Sequence, residues 1–242
     1  MQLIAHRGFA AHHPENTIAA VRAAATTADA IEIDVRRCGS GELVVIHDAT
    51  VDRVTDGSGR VADLGLEELQ GFSVLDSDQS IPTLSEVIVS LPPGVGLNVE
   101  LKEEGVAPDA VTAIEPVRDA WISSFIPEAL VEARSVSEAV SLAYLWQPDE
   151  DESVQDGTER GTENVSDPIQ RALELDCAGI HPRHDSCTTG DLVARAHDAG
   201  LVVNAWTVET RERATRLERA GVDGVIADRS DVLEDVESAP SE

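Results

Sequence analysis

Apolar and polar residues alternate along 31–35, with Ile31, Ile33 and Val35 on one side and Glu32 and Asp34 on the other. A period of two is the signature of a strand, so the two carboxylates share a face about 7 Å apart. Gly39-Ser40-Gly41 predicts a turn, and Leu43 to Ile46 a second strand that ends on His47-Asp48. An unneutralised Glu32–Asp34 pair would repel by about 2–3 kcal/mol at an effective dielectric of about 20. The pattern therefore asks for something positive beside them.

The rest of the chain alternates strand and helix patterns. A short apolar run at 2–5 stops at His6-Arg7-Gly8, and a helix over 18–26 follows, with Asn16 or Thr17 as its N-cap. Residues 49–80 show little long periodicity and predict a loop with one short helix at 66–70. Further helices are predicted over 82–90, 108–120, 127–134, 169–175, 191–197, 210–220 and 231–236. Further strands are predicted over 97–102, 121–126, 140–146, 178–181, 201–208 and 224–227. The acidic, turn-rich stretch 147–168 predicts a solvated surface loop, and 237–242 a frayed tail. Strands separated by helices pair in parallel. About eight such units predict one domain over 1–242, a closed α/β (β/α)8 TIM barrel with a small insertion after the second strand. A doubly wound open sheet is the runner-up.

Charge narrows the partners. The net charge of −28 over 242 residues argues against nucleic acid and stable association with anionic membranes. Of 18 basic residues only Lys102 is a lysine, and aromatics make up 3%. This composition predicts a halophilic protein, because molar salt shrinks the Debye length to about 3 Å and screens self-repulsion. Resistance to unfolding is expected to rise with KCl, and undiminished stability at low salt would refute that reading. Cys38, Cys177 and Cys187 form no CxxC pair, so neither a disulfide framework nor a zinc site is expected. No signal peptide and no run of about 18 apolar residues is read, and a cytoplasmic location is the expectation.

In a barrel the C-terminal ends of the strands gather on one face. His6, Glu32, Asp34, Glu100, Lys102, His181, Trp206 and Asp228 all fall at or near such ends. Glu32, Asp34 and Glu100 offer only oxygen, which suits Ca²⁺ or Mg²⁺. Arg7 and Lys102 reverse the local sign and fit an anion, Arg7 as a fork and Lys102 as a point charge. His6 and His47 are proton carriers suited to divide the acid and base roles of phosphodiester cleavage. Gly57-Ser58-Gly59 is not read as a phosphate loop, because no helix start follows it closely. His12, His13, His184 and His197 are expected at the surface.

These residues, in this order, resemble the glycerophosphodiester phosphodiesterase family. The matching pieces are His6-Arg7-Gly8, Pro14-Glu15-Asn16-Thr17, Glu32-Ile33-Asp34, and His47-Asp48 with Asp52-Arg53 and Gly57-Ser58-Gly59 after it. Ile81-Pro82-Thr83-Leu84, Glu100-Leu101-Lys102, Trp206-Thr207-Val208 and Gly221 to Arg229 complete the set. The resemblance implies a (β/α)8 barrel that hydrolyses glycerophosphodiesters to sn-glycerol 3-phosphate and an alcohol. It implies that Glu32, Asp34 and Glu100 bind a divalent ion, that His6 and His47 are the acid–base pair, and that Arg7 and Lys102 contact phosphate. Trp206 falls in the implied substrate pocket, whose far end 49–80 helps to shape. The family scheme has a glycerol hydroxyl attack phosphorus, giving a cyclic phosphate that water opens. His181-Pro182 stands where the family often has Asn-Pro, which leaves the alcohol unassigned. A sphingomyelinase-D-like phospholipase and a non-catalytic phosphate-binding barrel are the competing readings.

Overall fold

In a computed structural model, residues 1–148 and 167–233 are described. Eight parallel strands form the barrel: β1 (Gln2–His6), β2 (Ala30–Arg37), β4 (Gly96–Leu101), β5 (Ala120–Ser124), β6 (Ser141–Trp146), β7 (Gly179–Pro182), β8 (Val202–Val208) and β9 (Gly224–Ala227). They run in the order β1-β9-β8-β7-β6-β5-β4-β2, and a β1–β2 pairing closes the ring. That closure excludes the open sheet. β3 (Leu43–Val45) is antiparallel to the outer end of β2.

Helices α1 (Ile18–Ala24), α3 (Leu84–Ser90), α4 (Ala107–Ile114), α5 (Pro127–Val136), α6 (Pro168–Glu174), α7 (Leu192–Asp198) and α8 (Arg211–Ala220) connect the strands. A 3-10 turn at Ser230–Leu233 follows β9. Between β3 and α3, the insertion carries α2 (Leu66–Gln70) and a core of its own. Val51, Val54, Val61, Leu69 and Val74 pack there against Cys38, Val44, Ile46 and Ile81.

The strand alternation divides the barrel cleanly. Ile31, Ile33, Val35, Leu97, Val99, Leu101 and Ile122 belong to the core shared with the helices. The alternate positions carry polar side chains: Glu32, Asp34, Asn98, Glu100, Ser123, His181 and Asn204 are all buried. In parallel strands, residues in register share a face. Glu32 is in register with Asn98, and Asp34 with Glu100.

Several boundaries differ from the sequence reading. The helix expected over 108–120 ends at Ile114, because Pro116 has no N–H to bond back to the carbonyl four residues before it. The strand expected over 121–126 is Ala120–Ser124. Asp167 caps α6 and Pro168 is its first residue, so 167–168 start a helix rather than end a loop. Residues 149–166 of the acidic stretch, the end of the helix expected over 231–236, and the tail 237–242 lie outside the described residues. No helix among the described residues is long and apolar enough to cross a membrane.

Candidate active site

The site grows from the outer ends of β1, β2 and β4. β1 ends on His6, in register with Glu32. Beyond it Arg7, Gly8 and Phe9 all take left-handed backbone, with φ of 50°, 76° and 65°. A Cβ on Gly8 would lie 2.7 Å from the Ala20 Cβ, so the turn requires glycine. This turn aims the Arg7 backbone N–H at Glu32 Oε2, 3.0 Å away.

Glu32, Asp34 and Glu100 each place a carboxylate oxygen within 4.8 Å of the others. Asp34 is the hub. Lys102 Nζ lies 3.0 Å from its Oδ1, Arg7 Nε lies 3.1 Å from its Oδ2, and Asn16 Nδ2 donates to that Oδ2 at 2.8 Å. Lys102 Nζ also lies 2.5 Å from Glu100 Oε1. The chain thus supplies part of the positive charge that its carboxylates demand. Glu32 stays short of it: its Oε1 is buried with no hydrogen-bond partner. An all-oxygen triad in which Glu32 Oε1 and Asp34 Oδ1 accept no hydrogen bond fits a hard divalent cation, so the residues could hold a metal ion.

The charges respond accordingly. Burial disfavours charge on all three carboxylates. At Asp34, Lys102 and Arg7 outweigh burial and hold the pKa well below the usual range. Burial and the Asp34 charge push Glu32 up to about 8, and raise Glu100 against the pull of Lys102. Burial works against the Lys102 ammonium, but Asp34 and Glu100 keep its pKa above the ordinary lysine value.

Each histidine is backed by a carboxylate. His6 Nδ1 lies 2.6 Å from Asp228 Oδ1, and His47 Nδ1 lies 2.6 Å from Asp48 Oδ1. A carboxylate accepts, so each Nδ1 carries the proton and each Nε2 is free to act. Burial opposes charge on both rings. At His6 the hydrogen bond to Asp228 and the charge of Glu32 overcome burial and raise the pKa. At His47 burial prevails, with Lys102 and Arg7 adding to it, and the pKa is lowered.

His6, Arg7, Glu32, His47, Glu100, Lys102 and Trp206 line one cavity that opens to solvent. Asp34 lies beneath it, with none of its surface exposed. Trp206 is fixed by its Nε1, which donates to the His181 carbonyl at 2.7 Å. Phe125 packs edge-on against it at 5.2 Å between ring centroids. All eight sequence-derived site residues therefore converge. His181, which the strand-end pattern grouped with them, does not reach this cavity. It is buried inside the barrel, with Asn204 Nδ2 3.1 Å from its Nε2, and burial lowers its pKa to about 3.

Other contributors were not legible as site residues. Thr17 caps α1, and Asn16, read as an alternative cap, instead takes φ of 60° and bonds Asp34. Glu15 pairs with Arg7 and Arg53. Asp48 and Arg53 stand within motifs and Asp228 among the strand ends of the site's face, but nothing in their spacing signals a role behind the histidines. Phe125 gave no signal.

Taken together, the barrel and its pocket define a class: (β/α)8 barrels that gather charged side chains at the C-terminal face, where such barrels build their active sites. Comparison with known proteins narrows this. The model of the "Glycerophosphoryl diester phosphodiesterase family" matches residues 6–232, so the chain belongs to that family and is a phosphodiesterase. It is 33% identical to a glycerophosphodiester phosphodiesterase of Caldanaerobacter subterraneus subsp. tengcongensis, over 96% of this chain and 95% of that protein. Among solved structures it is similar to an Oleispira antarctica phosphodiesterase in complex with the product sn-glycerol-3-phosphate, at 29% identity and a TM-score of 0.79. That match covers 94% of this chain and 93% of the other. A glycerophosphodiester phosphodiesterase of Thermotoga maritima shares the fold, with a TM-score of 0.79, 24% identity and 96% coverage of both chains.

Proposed function

We propose that the protein hydrolyses small, soluble glycerophosphodiesters to sn-glycerol 3-phosphate and an alcohol, in a high-salt cytoplasm and with a divalent ion, Ca²⁺ or Mg²⁺. The observation that carries this reading is the unsatisfied carboxylate triad beside two histidines, each turned by its own carboxylate. Glu32, Asp34 and Glu100 hold the ion, which supplies positive charge for the phosphoryl oxygens in the transition state. Arg7 and Lys102 hold the substrate phosphate, and Trp206 forms the wall beside it.

The opposite pKa shifts divide the histidines. His47, whose pKa is lowered, is the base: its Nε2 lone pair takes the proton from the glycerol 2-hydroxyl as that oxygen bonds to phosphorus. His6, whose pKa is raised, is the acid: in its protonated form its Nε2–H passes a proton to the leaving alcohol as the P–O bond breaks. The product of this step is a cyclic phosphate. His6 then takes a proton from water as it attacks, and His47 returns one to the 2-oxygen, which restores both rings.

The test is hydrolysis of glycerophosphocholine in molar KCl. Glycerol 3-phosphate is expected after addition of Ca²⁺ or Mg²⁺ and to stop with EDTA. A folded protein that releases none with either ion, from a panel of glycerophosphodiesters, would overturn the reading.

A further inference from the structure

The insertion reaches the site through one side chain. Arg53 sits between Val51 and Val54, which are 0% and 3% exposed in the insertion's own core. Its backbone is thus anchored on both sides, while its guanidinium leaves that core. Nε lies 2.5 Å from Asp48 Oδ2. The other two nitrogens fork onto Glu15, NH1 to Oε2 and NH2 to Oε1, each at 2.8 Å. Asp48 holds His47 with its other oxygen, and Glu15 Oε1 also accepts from Arg7 NH1 at 3.0 Å. One guanidinium therefore fixes the carboxylate behind a histidine and the carboxylate behind an arginine.

We propose that Arg53 is a positioning residue: it locks Asp48 and Glu15 together and thereby sets the orientation of His47 and Arg7 toward the substrate. The inference rests on the roles of His47 and Arg7 given above. Without Arg53, Asp48 is free to turn about its side-chain bonds and the His47 ring turns with it. Glu15 loses two of its three hydrogen bonds, and Arg7 loses a rigid partner. The fork is essential, because an ammonium at this position cannot bridge both carboxylates in one plane. A displacement of about 1 Å at a reacting group can cost about 100-fold in rate. The insertion is then part of the catalytic apparatus as well as its rim.

The test compares Arg53→Gln and Arg53→Lys with Arg60→Gln, an exposed arginine of the same insertion. Two readouts are used: steady-state kinetics on glycerophosphocholine, and the ¹⁵N and ¹H resonances of the His47 imidazole. Arg53→Gln is expected to lower kcat about 10–100-fold with KM changed by less than about 3-fold. The His47 Nδ1–H signal is expected to shift and broaden, Arg53→Lys to recover little, and Arg60→Gln to match wild type. Arg53 side chains are 48% exposed, so the fold tolerates both replacements. A higher KM with kcat unchanged would make Arg53 a substrate contact and overturn the proposal. So would unaltered His47 signals, or shifted signals with unaltered kcat in an active enzyme. If wild-type protein hydrolyses no diester yet the signals shift, the functional reading fails and the positioning stands.

Discussion

Replacing His47 with alanine is expected to lower kcat on glycerophosphocholine by about 10²–10⁴-fold, the usual worth of a positioned acid or base. The side chain is 35% exposed at the rim, so its removal opens little cavity and folding should persist. Metal binding should persist too, because none of the three carboxylates depends on it for a hydrogen bond. His6→Ala is expected to cost a similar factor on the same substrate, but the two variants should separate on another. In the p-nitrophenyl ester of glycerol 3-phosphate the leaving group departs without a proton. His6→Ala should recover most of its first-step rate there, while His47→Ala should not, since the glycerol hydroxyl still needs a base. Formation of p-nitrophenolate, followed by absorbance, reads this directly. Full activity in either variant on glycerophosphocholine, or recovery of His47→Ala instead of His6→Ala, would defeat the assignment.

The contrast between what was and was not legible in the sequence follows from periodicity. Strand register carries the carboxylates: Glu32 and Asp34 lie two apart on β2, Glu100 lies on β4 with Lys102 just past its end, and a period of two puts each pair on one face. The β2–β4 register then sets Asp34 beside Glu100, which no local pattern states but which parallel neighbours in a closed barrel bring about. The barrel followed from the same logic, because apolar strand faces separated by capped helices have few other ways to be covered. The supporting residues obey no period. Asp228 reaches His6 across 222 positions, and Arg53 reaches Glu15 across 38. Such contacts arise only after the ring closes and the insertion folds. Asn16 misled for a physical reason: an asparagine ahead of a helix is a good cap, and only a left-handed backbone turns its amide toward Asp34 instead. The helix over 108–120 was overdrawn because apolar spacing continues past Ile114, where Pro116 ends it.

Thermal stability of the metal-free protein is expected to fall between pH 5 and pH 8, a window set by Glu32, whose pKa rises from 4.5 to about 8 on folding. Across that window the unfolded chain has lost the Glu32 proton and the folded chain keeps it, so each rise in pH favours unfolding. The stability is fully present below the unfolded value and is lost as pH climbs through the folded one. Glu100, also raised, adds in the same sense. His181, which burial lowers from 6.5 to about 3, opposes it up to about pH 6.5, and His47, also lowered by burial, opposes it more weakly at the rim, while His6, raised, adds to the fall. Asp34 acts outside the window: its depressed pKa stabilises above the unfolded value of 3.8 and is lost only in stronger acid. The net drop in Tm should be on the order of 5–10 °C, since in a chain of this size each kcal/mol moves Tm by about 2–4 °C. Saturating Mg²⁺ or Ca²⁺ should reverse the slope, because a bound cation favours the ionised triad. Glu32→Gln provides the decisive comparison. It keeps an acceptor for the Arg7 amide but cannot ionise, so its metal-free Tm should lose the Glu32 part of the fall between pH 5 and pH 8 and exceed wild type at pH 8. Its Tm should no longer respond to the ion, and hydrolysis should be lost. Calorimetry at both pH values, with EDTA and with each ion, measures all of this. A wild-type Tm that tracks Glu32→Gln from pH 5 to pH 8 without metal would show that the buried triad is neutralised from within, by Lys102 and Arg7 alone, and that no ion is needed to complete it.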